Sequence, residues 1–399
     1  MNSITIQNII TTNKHGTVAL SADLLGFGKK KELYFEVDEK YESFLASDAS
    51  IFLACFFPAF ANKGFDLIID GQVNARNYQN LRSIEEVYNS WGFRRDSNSR
   101  IYTRGSFNDS AYSPTCIGAF FSGGVDSFYT FLKNKKEGGE KITHLIFVHG
   151  FDIDLLNKAL FEETSARIRK IAEAEDVEVI FLRTNIREIL DEMISWDWGH
   201  GGALCGVALM LRAGLKRVYI PSTDSYEQLF PWGSHPALDP LWSTEATKII
   251  HDGNEANRVQ KVSRYIANSD NALEHLRVCY KNVAGKYNCG ACEKCLRTMI
   301  ELRVANVLDK SGAFTRPLDL RAVCKIDARS PGVRVHLEAS LCELERKNQD
   351  EELQQVLRDV LLKSEKISFF RRIRDGVTYF DGAYNKNRLY KVLSKRGII

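Results

Sequence analysis

Short apolar runs alternate with amphipathic stretches in the middle of the chain. The runs have the length of buried strands, and the stretches between them carry apolar residues at the spacing of a helix face. The predicted strands are 117–121, 145–148, 177–182 and 218–220, and the predicted helices are 127–136, 155–175, 186–194 and 203–212. This β-α order predicts an α/β fold with a doubly wound parallel sheet and right-handed crossovers. Ligands of such sheets bind outside the carboxyl ends of the strands.

The chain on either side of this region follows different patterns. Before it, β-like runs at 18–22 and 32–37 precede an apolar stretch at 41–61, which predicts a buried helix. Residues 96–114 are rich in Ser, Asn, Arg and Asp, and they predict a linker. After it, apolar residues at helical spacing between 335 and 362 predict a helical extension. The predicted domains are a small N-terminal α+β domain at 1–112, a central domain at 113–309 and C-terminal helices at 310–399.

Composition places the chain among ordinary globular proteins. Of its 399 residues, 44% are hydrophobic and 26% are charged, and 54 basic against 51 acidic residues give a net charge of +3. Because basic and acidic residues nearly balance, the overall charge does not indicate nucleic-acid binding. The longest apolar runs are shorter than the roughly 20 residues of a membrane span, so no membrane partner is expected. Nine cysteines and an N-terminus unlike a signal peptide argue against a disulfide framework and predict a cytoplasmic location.

The C-terminal segment 363–399 is locally basic, with ten Lys or Arg residues against three Asp or Glu residues. Tyr379, Phe380, Tyr384 and Tyr390 are interleaved with this charge. Basic residues mixed with aromatic ones are typical of segments that contact nucleic acid. A solvated helical face with the rings packed beneath it explains the same pattern, and it is the preferred interpretation.

The most specific feature is a glycine-containing loop that follows a predicted strand and opens a predicted helix. Adjacent glycines let backbone N–H groups approach an anion, and the helix N-terminus adds its positive dipole end. Two serine hydroxyls add donors, and the aspartate is placed to help hold Mg²⁺ on a phosphate. The loop therefore predicts a phosphate site, with a plain strand-turn-helix corner as the alternative. Its residues are Ser122, Gly123, Gly124, Val125, Asp126 and Ser127.

Four cysteines crowd into the segment 279–295, at Cys279, Cys289, Cys292 and Cys295. Two successive gaps of two residues let backbone turns present thiolates to one ion, and the longer arm supplies the fourth. Four thiolates around one ion make the closed arrangement of structural zinc. An iron–sulfur cluster is the alternative, because it uses the same short spacing. Zn²⁺ is the preferred metal.

Residues expected at the carboxyl edge of the predicted sheet are candidates for substrate contacts. Segment 197–202 lies before a predicted helix and contains Trp198 and His200. The histidine is a candidate acid or base near neutral pH, and the alternative is a loop histidine without a role. Cys205, at the start of that helix, is a candidate reactive thiol with a lowered pKa.

Two further segments lie beyond the fourth predicted strand. Segment 222–225 offers Asp224 to nucleotide or substrate hydroxyls, or caps a helix. Segment 230–236 offers Trp232 as a wall for a flat ring, or is a structural loop. Arg258 and Lys261 could clamp pyrophosphate or a carboxylate, and exposed helix charge is the alternative.

The loop at 122–127 resembles the SGGxDS signature of the PP-loop ATP pyrophosphatases. Together with the CY…CGxCxxC element at 279–295, it resembles the 7-cyano-7-deazaguanine synthase (QueC-like) family over roughly residues 116–305. The resemblance implies an adenine nucleotide alpha hydrolase-like (HUP) fold, cleavage of ATP to AMP and pyrophosphate, and structural zinc on the four cysteines. Extended members of this kind occur in bacterial antiviral defence operons of the Qat and CBASS types.

The resemblance leads to an enzyme hypothesis. The loop would grip the pyrophosphate of ATP, with Asp126, Ser127, Lys261 and His200 as catalytic candidates. A carboxylate such as 7-carboxy-7-deazaguanine would be adenylated and then joined to ammonia, an amine or a partner protein.

Two other hypotheses stay open. ATP-dependent sulfur transfer, as in tRNA thiolation, would need a persulfide on Cys205 or Cys324. A non-catalytic module would bind nucleic acid or a partner protein through the cysteine cluster and the basic tail.

Overall fold

The computed structural model describes residues 3–26, 28, 30–93, 99–107, 109, 112–137 and 140–365. These residues form two compact units. The first contains the described residues up to Cys289 together with Lys310–Ala313, and the second contains Gly290–Asp309 and the residues from Phe314 to Glu365.

A mixed ten-stranded sheet is the framework of the first unit, and a pair of short parallel strands lies apart from it. In chain order the strands are β1 (Ser3–Lys14), β2 (Thr17–Leu25), β3 (Lys31–Asp38), β4 (Asp66–Ile69), β5 (Val73–Asn74), β6 (Ile101–Thr103), β7 (Ser106–Phe107), β8 (Cys116–Phe120), β9 (His144–His149), β10 (Glu178–Thr184), β11 (Leu215–Pro221) and β12 (Lys248–Asp252). The order across the large sheet is β12-β11-β8-β9-β10-β3-β2-β1-β4-β6, and β5 pairs with β7.

The described helices divide between the two units. Those of the first unit are α1 (Ser50–Lys63), α2 (Ala75–Ser90), α3 (Val125–Lys136), α4 (Lys158–Glu175), α5 (Ile186–Leu190), α6 (Trp196–Met210), α7 (Arg258–Arg264) and α8 (Asp270–His275). Those of the second unit are α9 (Glu293–Val304), α10 (Leu320–Val323), α11 (Pro331–Lys347) and α12 (351–365). None of these helices combines the length and hydropathy that a membrane span requires.

Five parallel strands, β8 to β12, form one half of the large sheet. The four strands predicted in this region are confirmed, and β12 is a fifth that the sequence reading missed. Strand β8 lies between β9 and β11 in the sheet. Strand β10 lies beyond β9, and β12 lies beyond β11. The strand order therefore reverses at β8, and this reversal opens a crevice at the carboxyl ends of β8 and β11.

The other half of the sheet comes from the N-terminal part of the chain. Strand β3 pairs antiparallel with β10, and it then pairs antiparallel with β2. The large sheet is therefore mixed: the parallel arrangement predicted for the central region is confirmed over β8 to β12, and β3 and β2 add antiparallel pairs. The large sheet runs across the boundary predicted near residue 112. In β3, the alternating residues Leu33, Phe35 and Val37 are all buried.

Helix α1 is nearly all apolar, and it begins later than the predicted residue 41. Asp48 accepts a hydrogen bond from the backbone N–H of Ser50 at 2.9 Å, which satisfies one of the free donors of the first turn. The helix ends at Gly64, whose φ of +64° suits glycine. Cys55 within it is fully buried, and burial raises the pKa of its thiol.

Part of the predicted linker at 96–114 belongs to the sheet. Strand β6 lies along β4 in parallel. Asp66 accepts the backbone N–H of Arg100 at 2.9 Å, which fastens the start of β6 to β4. The linker prediction was wrong for β6, because three residues with little apolar pattern pair with a strand more than thirty positions earlier.

The second unit is helical in its described residues, and the helical extension predicted at 335–362 consists of two helices. Asn348 has a φ of +49° and ends α11 in the left-handed conformation. Arg303 of α9 makes a bidentate pair with Asp350 at 2.5 and 2.8 Å, which ties the start of α12 to α9. The predicted basic tail with Tyr379, Phe380, Tyr384 and Tyr390 lies outside the described residues, except for its first positions in α12.

Candidate functional site

The glycine loop connects β8 to α3, as the sequence predicts. Gly123 has a φ of +77°, a conformation that favours glycine. Gly124 is the cap of α3, and its N–H lies 3.4 Å from the hydroxyl of Ser122. Ser127 donates its hydroxyl to the Gly124 carbonyl at 3.0 Å. The loop thus places glycine N–H groups and serine hydroxyls at the positive end of a three-turn helix.

A second segment holds this loop in place. The backbone N–H of Arg277 donates to the Gly123 carbonyl at 2.8 Å, so the chain just before Cys279 lies against the loop. The Arg277 side chain is almost fully buried, and it donates to Asn282 at 2.7 Å. The conformation of the loop is therefore fixed from outside helix α3 as well as from within it.

Two buried cations meet the first turn of α3 at Asp126. Arg258 Nη1 lies 2.8 Å from Asp126 Oδ2, and Lys261 Nζ lies 3.1 Å from Asp126 Oδ1. Arg258 is 6% exposed and Lys261 is fully buried, so the alternative of exposed helix charge was wrong. Lys261 also donates to the Ser222 carbonyl. Lys261, which follows β12, thus contacts Asp126, which follows β8, and Ser222, which follows β11.

Helix α7 sets the direction of both cations. A capping box between Asn257 and Gln260 begins the helix, with each side chain bonded to the other's backbone N–H. Arg258 and Lys261 are then three residues apart, and this spacing puts them on one face of the helix. The two residues were predicted candidates, but the capping box that aims them was missed. Its signal, Asn followed three residues later by Gln, is present in the sequence.

The segment after β11 is fixed by a residue that the sequence reading missed. Asn254, just beyond β12, donates to Ser222 Oγ at 2.7 Å and to the Asp224 carbonyl at 2.8 Å. Ser222 Oγ in turn donates to the Asp224 carbonyl at 2.7 Å. Neither Ser222 nor Asp224 caps a described helix, so the capping alternative is wrong for both.

A cavity of about 130 Å³ opens beside this segment. It brings together three of the predicted residues, His200, Asp224 and Trp232. Trp198 is not among its lining residues and packs instead against Phe93, with ring centroids 4.8 Å apart. Its lining residues are His200, Leu204, Pro221, Ser222, Thr223, Asp224, Leu229, Phe230, Trp232, Ser234, His235 and His251.

Glycines in α6 allow this cavity to form. The prediction that 197–202 precedes a helix was wrong, because α6 already begins at Trp196. A Cβ on Gly201 would lie 1.7 Å from the Gly233 carbonyl oxygen, so only glycine lets the 230–236 segment approach the helix so closely. His200 lies on the next turn after Trp196, and its Nδ1 is 3.0 Å from the Trp196 carbonyl.

The protonation of His200 gives a testable prediction. Burial lowers the pKa of its imidazole below the ordinary value of 6.5, and the bond to the Trp196 carbonyl partly opposes this. Because the folded chain binds this proton less readily than the unfolded chain, the contribution to stability is complete above pH 6.5 and is lost as pH falls through the folded pKa. We expect His200→Gln to lose less unfolding free energy than the wild type between about pH 7.5 and pH 5. Urea unfolding at each pH measures this, and parallel losses would contradict it.

Cys205 does not have the predicted chemistry. The residue is fully buried in the middle of α6, and burial raises the pKa of its thiol well above the ordinary value. The prediction of a lowered pKa was wrong because the helix begins nine residues earlier, which takes Cys205 away from the helix N-terminus. Cys205 is therefore a poor donor for sulfur transfer, whereas Cys324 is exposed.

The four cysteines of the predicted metal site lie together. Their sulfur atoms are all within 4.8 Å of one another. A tetrahedral zinc site with bonds of about 2.3 Å separates its sulfurs by about 3.8 Å, so the cluster fits a metal ion such as zinc. Asn288 accepts the backbone N–H groups of Val278 and Cys279 at 2.9 and 3.2 Å, and this fixes the longer arm of the site.

Comparison of the chain with protein-family models, with curated proteins and with solved structures gives no match in any of the three. The resemblance of the loop and of the cysteine segment therefore stays a prediction. Support for a function comes from the chemistry of the residues themselves.

Proposed function

We propose that this protein is an ATP-dependent, adenylate-forming enzyme of the PP-loop type. The observation that carries the proposal is the meeting of two buried cations, Arg258 and Lys261, with the first turn of the helix that the glycine loop opens. Loop N–H groups, hydroxyl donors and buried positive charge converge there. Such a set of donors suits the pyrophosphate part of a nucleotide. The order of the strands around β8 is that of doubly wound nucleotide-binding sheets, which supports a HUP-like fold.

Each group of residues at the site has its own proposed role in ATP cleavage. The N–H groups of Gly123 and Gly124 and the hydroxyl of Ser122 would bind phosphate oxygens. Asp126 holds Lys261 and Arg258 in position, and these cations would stabilise the charge that grows on the leaving pyrophosphate. Each carboxylate oxygen of Asp126 already accepts a cationic donor, so this donor set does not fit a dedicated Mg²⁺ ligand. In the proposal, Mg²⁺ arrives as the counterion of ATP.

The cavity lined by His200, Asp224 and Trp232 is the proposed acceptor site. A carboxylate oxygen of the acceptor would attack the α-phosphorus, and pyrophosphate would leave. Ammonia or an amine would then displace AMP from the acyl-adenylate, giving an amide. The rings of Trp232 and Phe230, 5.5 Å apart, offer apolar faces for a planar heterocycle such as a deazapurine. Zinc on the four cysteines would be structural, since four thiolates leave no open position.

The proposal is tested with purified, zinc-replete protein, ATP, Mg²⁺ and 7-carboxy-7-deazaguanine, with and without ammonia. We expect pyrophosphate exchange into ATP without ammonia, and AMP with an amide or nitrile product when ammonia is present. Mass spectrometry of the protein checks for a covalent adduct, which would identify a protein acceptor and retain the adenylation chemistry. Bound ATP without exchange or AMP would overturn the proposal for this carboxylate. Failure to bind ATP would favour a non-catalytic binding module.

A further inference from the structure

A histidine that lines the cavity, and an aspartate that contacts it, were not predicted from the sequence. His251 lies in β12, beside Ile220 of β11, and lines the cavity. Its Nδ1 is 2.7 Å from Oδ2 of Asp239, which belongs to a short 3₁₀ turn at Asp239–Trp242. The side chains of His251 and Asp239 are only 4% and 1% exposed. Two polar groups are thus buried as a pair at the edge of the proposed acceptor site.

The partners of Asp239 determine how the imidazole is protonated. Its carboxylate accepts the Ser234 hydroxyl at 2.6 Å and the His235 backbone N–H at 3.3 Å, in addition to His251. An ionised carboxylate only accepts hydrogen bonds, so Nδ1 of His251 carries a proton. The neutral ring then has its lone pair on Nε2. This atom has no hydrogen-bond partner among the described residues.

The position of Ser234 argues against a serine-hydrolase triad. Its hydroxyl donates to the same carboxylate oxygen that holds His251, and it lies 3.4 Å from Nδ1. A nucleophilic serine would lie against Nε2, on the opposite side of the ring. Ser234 therefore helps to hold Asp239, and Nε2 is left for a group that enters the cavity.

We propose that His251 is the base that takes a proton from the attacking amine, and that Asp239 is its positioning residue. This rests on the proposed function and concerns its second step. The nitrogen lone pair of ammonia forms a bond to the acyl carbon of the adenylate, and the bond from that carbon to the AMP oxygen breaks with its electron pair. The proton lost by nitrogen goes to Nε2 of His251. The products are the amide, AMP and an imidazolium.

The other titratable groups of the cavity are less suited to this role. His200 and His235 also line it, and burial lowers the pKa of both rings. His235 accepts the Ala237 N–H at Nδ1, so its Nε2 carries the proton when the ring is neutral. Asp224 is the remaining acidic group of the lining. Of the three imidazoles, only His251 has a carboxylate in hydrogen-bond contact among the described residues, and this partner stabilises the imidazolium.

The variant His251→Asn tests the proposal, because its amide nitrogen replaces Nδ1 and keeps a donor to Asp239. Two rates are measured: pyrophosphate exchange with 7-carboxy-7-deazaguanine, and amide formation from ammonium. We expect amide formation to fall by about 10²–10⁴-fold relative to the exchange rate of the same variant. Asp239→Asn should also lower amide formation more than exchange, because the imidazolium loses the carboxylate that holds the ring.

The outcomes separate this proposal from the one on which it rests. Without exchange in the wild type, adenylation fails, and the role of His251 fails with it. With wild-type exchange present, a variant that keeps the wild-type rate of amide formation would overturn the role of His251 alone. Equal loss of both rates would show a structural role. Nitrogen-15 NMR of the wild-type histidines gives a check without substrate, because Nδ1 of His251 must carry the proton in the neutral ring.

Discussion

Replacing Lys261 with methionine should lower AMP formation by about 10²–10³-fold, the usual effect of removing one group that stabilises charge in a transition state. Methionine has a similar length and no charge, so the change removes the ammonium group with little loss of packing. Asp126 keeps its 2.8 Å contact with Arg258, and the buried carboxylate therefore retains a cationic partner. The rate of AMP release with ATP, Mg²⁺, 7-carboxy-7-deazaguanine and ammonia measures the effect.

Lys133 provides a matched control for this variant. It lies on helix α3 two turns after Asp126, is 12% exposed, and contacts Asp252 and Glu255 at 2.7 and 2.8 Å. Lys133→Met thus breaks a comparable network of ion pairs away from the glycine loop. We expect it to lower the unfolding midpoint and to keep the wild-type rate of AMP release. Equal losses of rate in the two variants would assign the effect to stability, and full activity in Lys261→Met would contradict the proposed role.

The phosphate loop could be predicted because its signal is local. The glycines, the serines and the start of α3 lie within six consecutive positions, and the backbone conformation of Gly123 follows from them. The partners of Asp126 could not be predicted in the same way. Arg258 is more than 130 positions away, and its burial depends on how α7 packs against α3. Charge spacing along α7 fits an exposed face as well as a buried one.

The sheet could likewise be predicted only where its signal is local in the sequence. Apolar runs predicted the four strands of the central region, and β9 is buried at every position. The pairing of β3 with β10 joins residues far apart in sequence, and no local pattern specifies it. Strand β12 contains only two adjacent β-branched residues before His251, so its pattern is short. The candidate acceptor site depends on these non-local contacts, which explains why His251 and Asp239 were missed.

The largest effect on stability is expected at the cysteine cluster. Cys292→Ser removes one of four sulfur atoms that lie within 4.8 Å of one another. Binding of structural zinc contributes about 10–16 kcal/mol in small zinc domains, and it is coupled to folding. Loss of even about 4 kcal/mol would lower the unfolding midpoint of a chain of this length by about 5 °C. Elemental analysis should show one zinc per chain in the wild type and almost none in the variant, and a thermal melt gives the shift.

Cys342→Ser is the matched control, because Cys342 is exposed and lies outside the cluster. The same atom is exchanged there, and we expect zinc content and the unfolding midpoint to stay at wild-type values. If the wild type instead contains iron and absorbs visible light, the four cysteines hold an iron–sulfur cluster rather than zinc. Retention of both metal and midpoint in Cys292→Ser would contradict a four-thiolate site.

The chain before Cys279 lies against Gly123 of the glycine loop, so loss of the metal should also weaken ATP binding. ATP titration of the chelator-treated protein measures this coupling.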